Sequence, residues 1–256
     1  MVPDAAIVAN DDAAAASDAA PVAQADAEPV TQRDAANNIG IDAVGAFADA
    51  AVLDDASTAT GLEPGPGDLV IVEIQGNPQT AADNQAEYIE LINVSGRALD
   101  LEGCRLTHRE YAGAGSAPVM SVGNHRINRS VPVAPGDRVL LTRSNGGYFG
   151  TATQDYVYST FELANGGADA NRVRLMVPTW SGMEPPDVAD IVDEVTTPTG
   201  TFENDLRGRA WQLNPTRPQT TADNDDPTAW CYAEATMALA YWNQNWGTPR
   251  AANVCP

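Results

Sequence analysis

The chain has 256 residues, a formal net charge of −21 and no lysine, so that all 14 of its basic residues are arginine. This excess of acid disfavours binding to nucleic acids and to anionic lipid surfaces, because both depend on clustered cations. No run approaches the roughly 18 apolar residues of a membrane span, so we expect no transmembrane segment.

Residues 1–66 differ in composition from the rest of the chain. They contain 21 alanines and 12 acidic residues, but one basic residue, Arg33, and one aromatic residue, Phe47. Such a segment buries too little apolar surface to offset an ordering entropy of roughly 1 to 2 kcal/mol per residue. We predict a disordered, acidic, low-complexity tether over residues 1–66 and one domain over residues 67–256. The first ten residues show no signal peptide, so that, if the protein is exported, we expect its export signal upstream of them.

Three strands are predicted at the start of the domain. Residues 69–74 are apolar on both faces, which indicates a strand buried on both sides. In residues 87–93, alternation places Glu87 and Asn93 on one face and Glu90 on the other. Residues 98–106 complete a meander.

The remaining domain also has a β pattern. Residues 108–128 are rich in Gly and Ser without a clear period, and we predict a long excursion with at most one short strand. Further strands are predicted at residues 127–133, 138–143, 155–161, 171–177, 188–195 and 209–213. Residues 232–242 favour an extended strap, although a helical turn is possible there. Short strands without a convincing amphipathic helix predict an all-β, antiparallel β-sandwich.

The three cysteines allow two interpretations. A bridge between Cys231 and Cys255 would close about 25 residues and stabilise the fold by roughly 3 to 4 kcal/mol. It would suit an exported protein. The alternative is three reduced, buried thiols in a cytosolic protein.

No catalytic constellation is identified. The two histidines, His108 and His125, could each serve Cys104 as a base, but no oriented third group accompanies them. Solvated loop histidines beside a buried structural cysteine are the favoured interpretation. No nucleophile elbow, phosphate-binding loop or zinc-ligand array occurs. We therefore predict that the chain is not an enzyme.

The carboxylates of the second strand are predicted to be structural. Glu87 and Glu90 lie on opposite faces and cannot flank one scissile bond. We expect them to accept hydrogen bonds from loops or to pair with arginine. Asn93 and Cys104 are predicted to be structural as well, with Cys104 in the core.

Two stretches are candidate ligand sites. The first comprises Asp223, Asn224, Asp225 and Asp226. These residues supply carboxylate and amide oxygens, which are the ligands that Ca²⁺ prefers. A solvated Asx-rich turn explains this stretch equally well, and no other cofactor is expected. The second lies in an aromatic cluster near the C-terminus, most of which we expect to pack in the protein interior. Three of its side chains could instead stack on sugar rings, namely Tyr241, Trp242 and Trp246.

Several runs in order resemble the bacterial lamin tail domain family over residues 67 to about 253. They are GDLVIVEIQGNP, EYIELINVSGRALDLEGCRL, VPVAPGDRVLLTRS, NRVRLMVP, DIVDEV, GRAWQLNP and NWGTPRAAN. The chain departs from the family pattern at Cys104, where many relatives carry Trp, and in the long stretch of residues 108–128.

The resemblance implies an immunoglobulin-like β-sandwich in an exported or surface-associated bacterial protein. Such a domain is regarded as a binding or anchoring module without its own catalytic site, and it often accompanies secreted hydrolases. We therefore expect an adhesion module at the cell envelope or outside the cell that binds a protein or glycan. The alternatives are a Ca²⁺-stabilised or carbohydrate-binding module, and a secreted hydrolase or its accessory domain.

Overall fold

The computed structural model describes residues 61–79, 82–112, 118–183, 185–234, 240–242 and 244–256, with backbone alone for residues 112, 118–122 and 240–242. Residues 1–60 of the predicted tether lie outside this part. The tether and the domain boundary at residue 67 stay predictions.

The described part consists mostly of β-strands, which confirms the all-β prediction. The strands are β1 (Leu69–Gln75), β2 (Tyr88–Asn93), β3 (Leu99–Asp100), β4 (Arg105–Ala112), β5 (Pro118–Arg126), β6 (Pro132–Val133), β7 (Arg138–Thr142), β8 (Tyr156–Val157), β9 (Asp169–Met176), β10 (Ile191–Thr196), β11 (Trp211–Leu213), β12 (Trp230–Tyr232), β13 (Ala240–Trp242) and β14 (Asn245–Trp246). The helices are short: α1 (Asp83–Ala86), α2 (Thr221–Asn224) and the 3-10 turns Val188–Asp190, Asn204–Leu206 and Pro227–Ala229.

Two main sheets organise these strands. The larger has the order β12-β11-β1-β2-β7-β8, and the smaller has the order β10-β9-β4-β5. Strands β3 and β6 form a separate pair, as do β13 and β14. Within these sheets one pair, β7 and β8, is parallel, unlike the wholly antiparallel prediction. Residues 143–155 supply the crossover that parallel neighbours need.

The two main sheets share one hydrophobic cluster. Strand β1 is buried along its whole length, as the apolar residues on both of its faces predict. Ile71 and Leu91 of the larger sheet belong to the same cluster as Leu106 and Val173 of the smaller sheet. The opposite face of β2 carries Tyr88, which belongs to a second, smaller cluster.

Residues 108–128 do not form the predicted excursion. Strands β4 and β5 pair as an antiparallel hairpin, and β4 also pairs with β9. Register shifts near Glu110 break the alternation that would reveal these strands. Gly123 lies within a strand and leaves room for a neighbouring side chain, because a Cβ there would lie 2.3 Å from the Phe161 side chain.

Other strand boundaries also differ from the predictions. The third predicted strand divides into β3 and β4 because Gly103 turns the chain with a φ of +87°. Within residues 127–133 only Pro132–Val133 is a strand, and β10 begins after the turn Val188–Asp190. Parts of residues 232–242 belong to β12 and β13, while residues 235–239 lie outside the described part.

Candidate functional site

A charged residue interrupts the otherwise apolar strand β1. Glu73 is fully buried, and its direct cross-strand neighbours are Glu90 on β2 and Gln212 on β11. Sequence reasoning missed Glu73. A single carboxylate within an apolar strand could have revealed it, because a buried carboxylate needs hydrogen-bond donors or a cation beside it. Gln212 was missed because its position depends on strand register.

Glu73 receives hydrogen bonds on both carboxylate oxygens. Its Oε1 accepts from the Tyr88 hydroxyl at 2.6 Å, from Gln212 Nε2 at 2.7 Å and from the Thr248 backbone N–H at 2.8 Å. Its Oε2 accepts from Thr248 Oγ1 at 2.9 Å. Burial nevertheless raises the pKa of Glu73, against the lowering effect of these donors. The result is a fully buried acid whose partners come from β2, β11 and the C-terminus.

The C-terminus supplies the cover over this network, and we call residues 247–255 the covering segment. Gly247 lets it approach closely, because a Cβ there would lie 2.3 Å from the Tyr88 hydroxyl oxygen. Asn253 Nδ2 donates to the carbonyls of Val72 and Leu213, both at 2.8 Å. The segment is thereby fixed across β1 and β11.

A disulfide ties the end of the covering segment to β12. Cys231 and Cys255 are bonded, with their Cα atoms 5.8 Å apart. This confirms the predicted bridge. Gln212 is the cross-strand partner of Cys231, so the disulfide lies beside the buried network. Cys104 is the free, buried cysteine of the described part, and burial raises the pKa of its thiol to about 12.

Glu90 lies next to Glu73 and is also fully buried. Its Oε2 accepts from Arg138 Nη1 at 2.7 Å, and its Oε1 accepts from the Arg250 backbone N–H. Burial and the Glu73 carboxylate raise the pKa of Glu90, while Arg138 opposes them. Glu90 thus holds the covering segment through Arg250.

Glu87 and Asn93 make different contacts. Glu87, just before β2, accepts from the Leu163 backbone N–H at 2.9 Å, and burial raises its pKa. Asn93 Nδ2 donates to the carbonyls of Arg97 at 2.8 Å and Val133 at 3.0 Å. Glu87, Glu90 and Asn93 are therefore not brought together at one site.

The predicted calcium stretch begins as a helical turn. Thr220 caps α2 by accepting from the Asp223 backbone N–H, and Asp226 accepts from the Thr228 backbone N–H. Asn224 turns inward, where its Nδ2 donates to Asp193 Oδ2 at 2.6 Å. The four residues thus face different partners, and within the described ranges no three His, Cys, Asp or Glu side chains are grouped to hold a metal ion.

A pocket of about 260 Å³ adjoins this turn. Its lining includes Asp193, Glu194 and Asp225 together with the apolar Val188 and Ile191. Burial raises the pKa of Asp193 to about 7, although the Ile71 backbone N–H donates to it. Oδ1 of Asp193 has no hydrogen-bond partner in the described part. Asp193 and Asp225 thus bring two carboxyl groups to the lining of one pocket.

The C-terminal aromatic side chains that the structure describes are packed against the two hydrophobic clusters; they are Trp211, Trp230, Tyr232 and Trp246. The rings of Trp211 and Trp230 stack with centroids 4.1 Å apart, and both are buried. Trp246 is partly buried against the cluster of Tyr88. The side chains of Tyr241 and Trp242 lie outside the described part, so their predicted stacking on sugars stays a prediction.

The histidines are strand residues, not the solvated loop residues that the sequence suggested. His108 on β4 is buried, its Nε2 lies 2.7 Å from Asn171 Oδ1, and its ring stacks on Phe161 at 5.4 Å. His125 on β5 lies 3.0 Å from the Tyr156 hydroxyl through Nε2. Burial lowers the pKa of both. In the described part these contacts pair the two rings with Asn171, Phe161 and Tyr156, and none of them involves Cys104.

Neither the protein-family models nor the curated proteins contain a match to this chain. In the described part, no helix has the length and apolar character needed to cross a membrane.

Proposed function

We propose that this chain is a non-enzymatic binding module of an exported protein, displayed at the cell envelope or outside the cell on the acidic N-terminal segment. The Cys231–Cys255 disulfide carries the proposal, because such bonds persist chiefly in oxidising compartments. The partner would be an envelope or matrix protein or a glycan.

The core and the polar network support a scaffold. Two sheets share one hydrophobic cluster, as an immunoglobulin-like sandwich of the lamin tail type requires. Glu73 and Glu90, the most deeply buried acids of the network, have donors from neighbouring strands and the covering segment. Both acids contact the covering segment, and holding this segment in place requires no external substrate.

Binding to isolated envelope material tests the proposal. The full chain, purified oxidised and labelled with a fluorophore, is titrated onto bacterial cell-wall sacculi, outer-membrane vesicles and a glycan array. We expect saturable binding to one of these. The same chain is screened against ester, phosphate and glycoside substrates. Turnover by the chain, or no binding to any envelope material, contradicts the proposal.

The pocket beside α2 favours a second candidate, a Ca²⁺-stabilised module. Asp193 Oδ1 has no partner in the described part, and Asp225 lines the same pocket. We expect Ca²⁺ to raise the Tm of the chain relative to EDTA, and Asp225→Asn to diminish this rise. An equal Tm in Ca²⁺ and EDTA would exclude this candidate.

A further inference from the structure

Thr248, Gln212 and Glu73 meet in an arrangement that ordinary packing does not require. The Thr248 hydroxyl donates to Glu73 Oε2 at 2.9 Å, and Thr248 Oγ1 in turn accepts from Gln212 Nε2 at 2.7 Å. A nucleophilic oxygen, a base and a carboxamide are therefore in mutual contact. All three residues are at most 4 % exposed, so water is largely excluded from them.

Two further contacts complete the groups that acyl transfer needs. The Val254 backbone N–H donates to Gln212 Oε1 at 3.3 Å, where negative charge would develop as the carbonyl carbon is attacked. Glu73 Oε1 accepts from Gln212 Nε2 at 2.7 Å, so the base also contacts the leaving nitrogen. Base, nucleophile, oxyanion donor and leaving group thus lie within one hydrogen-bonded network.

We propose that Thr248 and Gln212 become joined by an intramolecular ester bond, which the folded chain forms by itself with Glu73 as the catalytic base. This inference is independent of the proposed binding function, because the reaction needs neither a ligand nor a partner.

The step balances without any further reactant. Glu73 takes the hydroxyl proton of Thr248, and Oγ1 attacks Cδ of Gln212 to give a tetrahedral intermediate. The Cδ–Nε2 bond then breaks while Glu73 returns the proton to the leaving nitrogen. The products are one ester and one molecule of ammonia, with no change in oxidation state. Departure of ammonia and exclusion of water disfavour the reverse reaction and hydrolysis.

The position of the ester within the fold follows from strand register. Gln212 is flanked by Glu73 on β1 and Cys231 on β12, while Thr248 and Cys255 are both on the covering segment. The ester and the disulfide would therefore lie on adjacent strands of the larger sheet. Together they would fasten both ends of the covering segment, so that reduction alone does not release it.

Mass measurement of the full chain tests the proposal. We expect the oxidised protein to be lighter than its sequence by one ammonia in addition to the two hydrogens of the disulfide. After reduction, cleavage following Glu203 and Glu234 gives residues 204–234, with Gln212, and residues 235–256, with Thr248. These peptides should stay joined, and hydroxylamine should separate them.

Variants distinguish the ester from other losses of ammonia. Thr248→Val keeps the shape of the side chain but lacks the hydroxyl, so its reduced peptides should separate. Thr248→Ser should restore the joined pair, and Glu73→Gln should abolish or slow its formation. Thr107→Val, a buried change on β4 of the other sheet, is the matched control and should leave the peptides joined.

The wild-type chain decides the outcome even where a variant fails to fold. Separate, unmodified peptides from wild-type protein whose disulfide has formed overturn the proposal. Joined peptides that persist in Thr248→Val also overturn it, because the link would then involve other residues.

Discussion

Gly247 lets the covering segment lie against the buried network, because a larger side chain there would clash. In Gly247→Ala, the new Cβ would lie 2.3 Å from the Tyr88 hydroxyl oxygen and 2.7 Å from Glu73 Oε1. The segment must then move away from the buried network, and we expect the free energy of unfolding to fall by about 1 to 3 kcal/mol. Denaturation by guanidinium measures this difference.

The matched control for Gly247 is Gly65→Ala. There the nearest atom to an added Cβ, Asp68 Oδ2, is 3.4 Å away, at ordinary contact distance. This change should leave the free energy of unfolding nearly unaltered. Equal stabilities for the two variants would show that the covering segment adjusts freely.

Cys104 is expected to be chemically silent in the folded protein. It is fully buried, and burial with the nearby carboxylates of Glu63 and Asp100 raises the pKa of its thiol to about 12. The aromatic disulfide reagent that reports free thiols should detect none in native protein and one per chain after denaturation without reduction. One rapid reaction in the native state would contradict the burial of Cys104.

At the scale of elements, the disulfide closes a loop with a sequence separation of 24. On the chain-entropy model, such a loop stabilises by about 3 to 4 kcal/mol. The cleanest background is Thr248→Val, in which no ester can form. Adding Cys231→Ser and Cys255→Ser there should lower the free energy of unfolding by that amount. No loss beyond that of Thr248→Val would mean that noncovalent contacts alone fix the covering segment.

The predictability of each element depends on how local its signal is. Strand β2 is recognisable because its pattern alternates, with Ile89 in the shared core and Tyr88 on the opposite face. The hairpin β4–β5 was missed because two features remove the alternation of apolar and polar residues. One is its register shifts, and the other is Gly123, which is a glycine because Phe161 occupies the space of a side chain there. Strand β8 was expected to be antiparallel to its neighbour but pairs with β7 in parallel. Turn residues alone do not show whether the chain reverses in a hairpin or crosses over to a parallel strand.

The candidate site was less predictable than the fold, because its contacts are distant in sequence. Glu73 is 139 residues from Gln212 and 175 residues from Thr248. No spacing rule links positions so far apart, and strand register alone brings them together. By contrast, the bond between Cys231 and Cys255 was predictable from the sequence. The chain has three cysteines, so that few pairings are possible.

The whole molecule carries buried acids whose pKa values are raised together. Burial raises the pKa of Glu73, Glu87 and Glu90, and it raises the pKa of Asp193 to about 7. Between the ordinary carboxyl range and the raised values, the folded state binds more protons than the unfolded state. The free energy of unfolding therefore decreases as pH rises through that interval.

The effect of the buried acids is best measured from the ordinary histidine pKa upward, where the contribution of the histidines declines. Burial lowers the pKa of His108 and His125, so these residues act in the opposite direction, and their opposition fades as pH rises above the ordinary histidine pKa of about 6.5. From about pH 6.5 to about pH 8.5, at fixed salt, we expect the free energy of unfolding to fall by roughly 1 to 3 kcal/mol. Asp193→Asn should flatten part of this slope because asparagine does not titrate, whereas Asp137→Asn, at an exposed carboxylate, should preserve it. Stability that is constant or increases over this interval would mean that the buried acids are already ionised at pH 6.5, and that their hydrogen bonds outweigh their burial.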